Sequence, residues 1–295
     1  MARTKPTTMR RVLRREVAGT IGLLADSEDF TAMRRYRTFT FDDHTAYLHE
    51  VEGLLRSLAA EGRHTTVALF DPEDYAEFCT DLALDPDTPA VRARYTAQLA
   101  ADGPTVPYDG RPLSALVPDL IDEAVRQSTW EYAQTLLAGI GACADCGEDI
   151  GRAAFARAAH LLSRVLDAAA EGSHHLVCSI SIDSEALLAA LHVDSSAPGR
   201  VQLDETEALE FTTVLAAGIA TSRPGGMVLR TNRPDAPDTV YGWRLTGDRL
   251  DALTAAEVFD AYCTDSQTGD LVSPEPGVEY CTPPDLGPDE EDHRH

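Results

Sequence analysis

The sequence predicts an α/β protein, in which a long antiparallel helical hairpin is inserted between two strand-containing segments of a mixed α/β sheet. Four short apolar stretches each run directly into an aspartate and then into a helical pattern; these aspartates are Asp42, Asp71, Asp183 and Asp204. Strand, acid and helix in this order are typical of α/β layers. Two long amphipathic patterns with a short link lie between the second and third stretches, and they predict the hairpin.

The first strand-containing segment follows a basic arm. Residues 10–25 carry apolar side chains at helical spacing, which predicts an amphipathic helix. The elements expected next are strand 35–41, helix 44–61 with Asp43 as its cap and Gly62 at its end, strand 64–70, and a helix that opens at Asp71-Pro72. A strand–helix–strand unit closes right-handed with parallel strands.

The same rules of periodicity and capping assign the rest of the chain. The expected elements are helix 88–101, a turn or small hairpin at 106–113, the hairpin helices 118–138 and 149–170, strand 176–182, helix 184–192, strand 200–203, helix 205–221, strands 227–231 and 239–245, and a helix capped by Thr254 and Glu257. Residues beyond 273 are rich in proline and acid, which predicts a solvated tail.

These elements group into five predicted segments. They are the arm and amphipathic helix at 1–30, the strand–helix–strand unit with its helices at 31–104, the helical hairpin at 105–174, a second mixed segment at 175–264 and the tail at 265–295. Whether the two strand-containing segments share one sheet stays open at this point.

The charge of the chain bears on its partners. The net charge is −24, while the first 19 residues carry six basic side chains and one acidic one, so the body of the chain is more acidic still. An acidic body repels phosphate backbones, so we expect no nucleic-acid partner. It suits a protein partner with a basic surface. No apolar run approaches the ~20 residues of a membrane span.

The numbers of lysines and cysteines limit the kinds of catalysis and of cross-linking that the chain can carry out. Lys5 is the only lysine, and the preference for arginine indicates a GC-rich bacterial genome. Without a core lysine, Schiff-base catalysis and a phosphate-loop lysine are excluded. The six cysteines are spread along the chain and form no disulfide framework, which predicts free thiols in a reducing cytoplasm.

The strand-end aspartates are the first candidate site. If strands 35–41 and 64–70 are parallel neighbours, Asp42, Asp43 and Asp71 meet at the carboxyl edge of the sheet, where α/β proteins bind ligands. Three carboxylates there could hold Mg²⁺ and serve a metal-dependent hydrolase or a phosphoryl-transfer enzyme. The alternative is that each aspartate caps the helix that follows it, which accounts for all four occurrences without a catalytic role.

Cys143 and Cys146 form the second candidate site. Cys143-Ala-Asp-Cys146-Gly147 has the spacing of half a zinc site. His174, His175 and Cys178 are the other tempting ligands, but a continuous helix at 149–170 would hold them ~33 Å away. Structural zinc, free thiols and a redox pair all stay open. The neighbouring carboxylates are expected to raise the thiol pKa and so to disfavour the redox role.

The sequence does not determine an activity. The phosphate-binding glycine loop, the nucleophile elbow and the zincin pattern are all missing. We therefore expect a cytoplasmic, non-enzymatic binding or regulatory protein that acts through protein–protein contacts. The alternatives are the metal-dependent enzyme that uses the strand-end aspartates, and a structural zinc protein that uses the two cysteines.

Overall fold

The computed structural model describes residues 19–182, 185–197, 200–264 and 268–287. The protein is an α/β protein, and the described residues form eight helices and ten strands in mixed sheets. The chain divides into two compact units at residues 127 and 128, and we describe each unit by itself.

The first unit is built around a small three-stranded sheet. Its elements are β1 (Gly19–Leu23), α1 (Ser27–Met33), α2 (His44–Ala60), β2 (Thr65–Leu69), α3 (Pro72–Asp81), α4 (Pro89–Asp102), β3 (Thr105–Pro107) and the beginning of α5 (Leu113–Ile140). The strand order is β1-β2-β3, with β1 and β2 parallel and β3 antiparallel to β2. The unit therefore contains the parallel pair that the sequence predicts, but with a different first strand.

Aromatic side chains form much of the core of this unit. Phe70, Tyr75 and Tyr95 lie with ring centroids 5.0–5.4 Å apart, and Tyr75 is fully buried. Leu23 and Val67, from the paired strands β1 and β2, are fully buried in the same cluster. The sheet therefore packs its apolar side chains against the surrounding helices.

The predicted strand at 35–41 is wrong, and so is the part of the predicted helix 10–25 that the structure describes. Residues 35–41 form a turn and a loop, whereas residues 19–23 form β1; residues 1–18 lie outside the described part. Phe39 and Phe41 pack their rings on Tyr47 of α2. A short apolar run can form either a helix or a strand. Residues 19–23 form a strand because they pair with β2.

The second unit is built on a seven-stranded sheet. It contains the rest of α5, then α6 (Ile150–Ala168), β4 (Ser173–Ile182), β5 (Glu185–Ala197), β6 (Arg200–Leu203), α7 (Glu205–Thr221), β7 (Gly225–Asn232), β8 (Asp238–Thr246), β9 (Arg249–Ala252), α8 (Ala255–Tyr262) and β10 (Val278–Tyr280). The strand order is β10-β8-β7-β4-β5-β6, and β9 pairs with β8. The pairs are antiparallel except for β10 with β8.

One face of this sheet packs against helices. Alternate residues of β4, among them Leu176, Cys178 and Ile180, are fully buried in a core that includes α6 and α7. Helix α7 is buried over a continuous run of its length, from Glu210 to Gly218. The two strand-containing segments therefore do not share a sheet, because each unit has its own.

The predicted helix at 184–192 is also wrong, because these residues belong to β5. The run is rich in Ala and Leu, which are strong helix formers. However, β5 pairs with β4 from Glu185 to Asp194, and its buried residues Leu187, Leu191 and Val193 lie on the helix-covered face of the sheet. Burial on a sheet therefore overrode the local propensity.

The predicted tail is only partly correct. Residues 278–280 form β10 beside β8, and Arg164 of α6 donates hydrogen bonds to the carbonyl oxygens of Leu286 and Gly287. The segment before residue 288 is thus attached to the second unit, while residues 288–295 lie outside the described part.

Candidate functional site

Aspartates cap helices at three of the positions that the sequence predicts, and Asp43 rather than Asp42 caps the helix that follows them. Asp43 Oδ1 accepts a hydrogen bond from the Ala46 amide at 2.8 Å, as the cap of α2. Asp71 Oδ1 accepts from two amides of α3, at 2.7 and 3.2 Å, and Asp204 does the same for α7 at 2.8 and 3.2 Å. Asp183 lies outside the described residues. The capping interpretation is confirmed for these three aspartates.

Asp42 and Asp43 do not end a strand, because residues 35–41 form none. The strand that is parallel to β2 is β1, and the acid that follows it is Asp26. Asp26 Oδ1 accepts hydrogen bonds from the Glu28 and Asp29 amides, both at 2.8 Å, as the cap of α1. The acids at the carboxyl ends of the parallel pair are therefore Asp26 and Asp71.

Sequence reasoning missed Asp26 because it placed residues 10–25 in a helix. The signal was nevertheless present. Leu23-Leu24-Ala25 runs into Asp26 and then into the acidic first turn of α1, which is the same sequence order that predicts the caps at Asp71 and Asp204.

Among the carboxylates at this edge of the sheet, Asp29 has the most strongly shifted pKa. Partial burial, together with the negative charges of Asp26 and Asp71, raises its pKa from 3.8 to about 6. Burial and the Asp71 charge also raise the pKa of Asp74. Among the described residues, no group of three or more His, Cys, Asp or Glu side chains is arranged to hold a metal ion. The carboxylates are thus near enough to repel one another without forming a metal cage.

An aromatic cavity of about 250 Å³ lies in the same unit. Phe39, Phe41 and Tyr47 line it, and Arg92 lies at its wall. Arg92 donates hydrogen bonds to the Thr38 hydroxyl and carbonyl oxygens at 2.9 and 3.2 Å. The arginine therefore holds the loop that replaces the expected strand.

Cys143 and Cys146 lie in the loop that joins α5 to α6. The amide groups of Cys146 and Asp145 donate hydrogen bonds to the Cys143 sulfur and lower its pKa, although the Glu148 charge opposes this shift. The expectation that nearby carboxylates raise the thiol pKa is wrong for Cys143. Hydrogen bonding from these backbone amides lowers the thiol pKa by more than the surrounding charge raises it.

His174 and His175 of β4 cannot both join Cys143 and Cys146 as metal ligands. His174 and His175 are neighbours on a strand, so they face opposite sides of the sheet. His174 is buried, and its ring nitrogens lie 3.0 Å from Thr231 Oγ1 and 2.7 Å from Ser195 Oγ. Burial lowers the pKa of His174. It is therefore a hydrogen-bonded core histidine.

The second face of the seven-stranded sheet is only partly covered. Helix α8 covers it at β8, where Val258 and Leu253 lie against Gly242. The register of β5, β4 and β7 continues this face with two rows of small and apolar residues: Leu188, Ser179 and Gly226 in one, and Ala190, Val177 and Val228 in the next. We call this surface the open face. Leu188 lies on this face and is 54% exposed.

A row of polar residues borders the open face. The His192 and His175 rings stack with centroids 4.6 Å apart, and Arg230 of β7 is the residue paired with His175 of β4. Glu207 accepts a hydrogen bond from the His192 amide at 2.9 Å, while Arg230 binds Glu275 and Asp238. Arg230 and the backbone of His192 are therefore each hydrogen-bonded to carboxylates at this border.

Comparison with known proteins gives one family match. A family model described as "Domain of unknown function (DUF8829)" matches residues 8–111, which is less than half of the chain and falls within the first unit. No curated protein and no solved structure is similar to the chain. Among the described residues, no helix has the length and apolar character that a membrane crossing requires.

Proposed function

We propose that this protein is a cytoplasmic, non-enzymatic binding or regulatory protein, and that the open face binds an apolar protein segment flanked by basic residues. The observation that carries the proposal is the uneven cover of the seven-stranded sheet. A sheet with one face on helices is stable, and the other face is free to present apolar side chains. Small residues at Ser179, Ala190 and Gly226 leave room for side chains of a partner.

The distribution of charge supports a basic partner. Residues 128–295 contain 28 acidic and 10 basic side chains, a net charge of −18, whereas residues 1–127 have a net charge of −6. Most of the acidic charge therefore belongs to the unit that carries the open face. Such a charge steers a basic partner toward the surface and repels nucleic acid.

The test measures how much partner the purified protein captures at low and at high salt. It also compares variants at two exposed leucines of the second unit. Leu188 lies on the open face and Leu271 lies outside it, at 54% and 84% exposure. We expect Leu188→Asp to lose the partner and Leu271→Asp to keep it. Binding should also fall as salt rises toward about 0.5 M, because screening shortens the Debye length. Equal capture by both variants contradicts the proposal.

A metal-dependent hydrolase or phosphoryl-transfer enzyme is the second candidate. The raised pKa of Asp29 beside Asp26 and Asp71 favours it, because perturbed carboxylates collect at catalytic sites. Mg²⁺ is often bound through only one or two carboxylates and water, so a cage of three ligands is not required.

Calorimetric titration with Mg²⁺ tests the second candidate. We expect Asp71→Asn to abolish the binding heat while it keeps the cap, because asparagine also accepts at this position. Asp204→Asn makes the same change at a cap of the other unit and should leave the heat unchanged. A wild-type protein that gives no heat eliminates this candidate.

A further inference from the structure

The loop between α5 and α6 folds back on itself. The Cys143 amide donates to the Glu148 carbonyl oxygen at 2.8 Å, and the Gly147 amide donates to the Cys143 carbonyl oxygen at 2.9 Å. Ala142 and Asp149 pair as an antiparallel bridge outside these bonds. Gly147 has a φ of +73°, which glycine adopts without strain. The backbone thus fixes a tight hairpin that carries both cysteines.

The hairpin holds the two cysteines on one tight turn. The Gly147 amide closes this turn on the Cys143 carbonyl oxygen, and Cys146 immediately precedes that glycine. Cysteine sulfur is a preferred ligand of structural zinc, and two ligands at Cys-x-x-Cys spacing are common in such sites. The sequence spacing predicts two zinc ligands, and the loop holds them in an arrangement suited to one metal ion.

Two ligands do not complete a zinc site. Structural zinc takes four ligands in a tetrahedron. In the part of the chain that the structure describes, no third His, Cys, Asp or Glu joins the pair in a metal-holding group. Cys146 is exposed and Cys143 is half-buried, so neither residue is enclosed by the chain.

We propose that Cys143 and Cys146 from two copies of this chain bind one zinc ion, and that this site joins the two copies. Each thiol that is still protonated releases its proton to solvent when its sulfur binds the metal, and no electron is transferred. The proposal is independent of the open face, because it rests on a different surface and predicts a different partner.

The charge of the chain gives this dimer an unusual dependence on salt. Two copies that each carry a net charge of −24 repel each other, and Asp145 and Glu148 place acids beside the metal. Raising the salt from about 0.1 M to about 1 M shortens the Debye length from ~10 Å to ~3 Å. The zinc-linked dimer should therefore become tighter with salt, whereas zinc bridging between exposed carboxylates should become weaker.

The experiment is a zinc titration of the reduced, metal-free protein, followed by sedimentation velocity. We expect conversion from monomer to dimer with an end point near 0.5 zinc per chain. Substitution of Cd²⁺ should give the ultraviolet absorption band of a cadmium–thiolate bond at the same end point. Because serine has nearly the shape of cysteine and the loop is accessible, Cys143→Ser and Cys146→Ser should each remove the dimer without loss of helical circular dichroism.

Cys281→Ser is the matched control, since Cys281 is also a partly exposed free thiol in the same unit. It should dimerise with zinc as the wild type does. An end point of one zinc per chain without dimerisation overturns the proposal. A zinc-dependent dimer that survives both loop variants, or one that weakens as salt rises, overturns it as well.

Discussion

At the scale of single residues, the aspartates show which features of the candidate site depend only on residues that are near in sequence. Asp43 accepts a hydrogen bond from an amide three residues away, so its role as a cap follows from the sequence alone. The neighbouring Asp42 lies one residue earlier and is exposed. The grouping of Asp26 with Asp71 is different, because it depends on which strands are neighbours. The sequence alone therefore predicts the caps, whereas strand pairing decides that Asp26, and not Asp42 or Asp43, follows the strand beside β2.

Asp29 carries a prediction about pH. Its pKa is about 6 in the folded protein against an ordinary value of 3.8, so the folded chain holds this proton more tightly. The stability gained from the protonated group is complete below about pH 3.8 and is lost as pH rises through about 6. We expect Asp29→Asn to raise the melting temperature above that of the wild type at pH 7.5, with a difference that shrinks toward pH 4.

Thermal unfolding by circular dichroism over that pH range measures the effect of Asp29→Asn. Asp42→Asn removes an exposed carboxylate from the same unit and is expected to keep the wild-type profile. A difference between Asp29→Asn and the wild type that does not change with pH would show that the carboxylates are not coupled.

At the scale of helices and strands, the long elements were predictable and the short ones were not. Helices α5 and α6 cover the predicted ranges 118–138 and 149–170 within a few residues, because many turns repeat the same apolar pattern. Strands β1 and β5 were assigned to helices. Gly22 of β1 shows why, since a Cβ atom there would lie 2.9 Å from the Phe70 ring. Contacts of this kind are not visible in local sequence.

Two glycines at the junction of α5 and α6 give a matched test of close packing. A Cβ atom on Gly151 would lie 2.8 Å from the Leu137 carbonyl oxygen, whereas a Cβ atom on Gly139 would meet nothing within 4 Å. We expect Gly151→Ala to lower the free energy of unfolding by about 1–3 kcal/mol through overpacking. Gly139→Ala should raise it by about 0.5 kcal/mol, because alanine favours the helix.

Urea unfolding followed by circular dichroism separates these two substitutions. Equal losses of stability in the two variants would contradict the close contact between α5 and α6 at Gly151. If neither variant changes the stability, the junction of α5 and α6 is not tightly packed.

At the scale of the whole molecule, the acidic charge is unevenly shared between the two units. Residues 128–295 carry a net charge of −18, three times that of residues 1–127. Self-repulsion of this size opposes the compact state, and added salt screens it. In the function that we propose, the same charge attracts a basic partner, so stability and recognition would depend on it in opposite ways.

The two tryptophans, Trp130 and Trp243, both belong to the second unit, so their fluorescence reports on that unit alone. We expect its melting temperature to rise as salt increases from about 20 mM to about 200 mM, because the Debye length shortens over this range. Choline chloride at equal ionic strength is the control for specific cation binding and should give the same rise. A melting temperature that is unchanged or lower with salt contradicts the prediction.

The sequence by itself determined the α/β class, the caps at Asp43, Asp71 and Asp204, and the long helices, since each depends on residues a few positions apart. Only the tertiary structure decided that the strands form two separate sheets, that Asp26 is the neighbour of Asp71, and that one sheet has an open face. The physical reason is that strand pairing joins residues far apart in the chain. A strand takes its partner from the whole fold, whereas a helix bonds to itself.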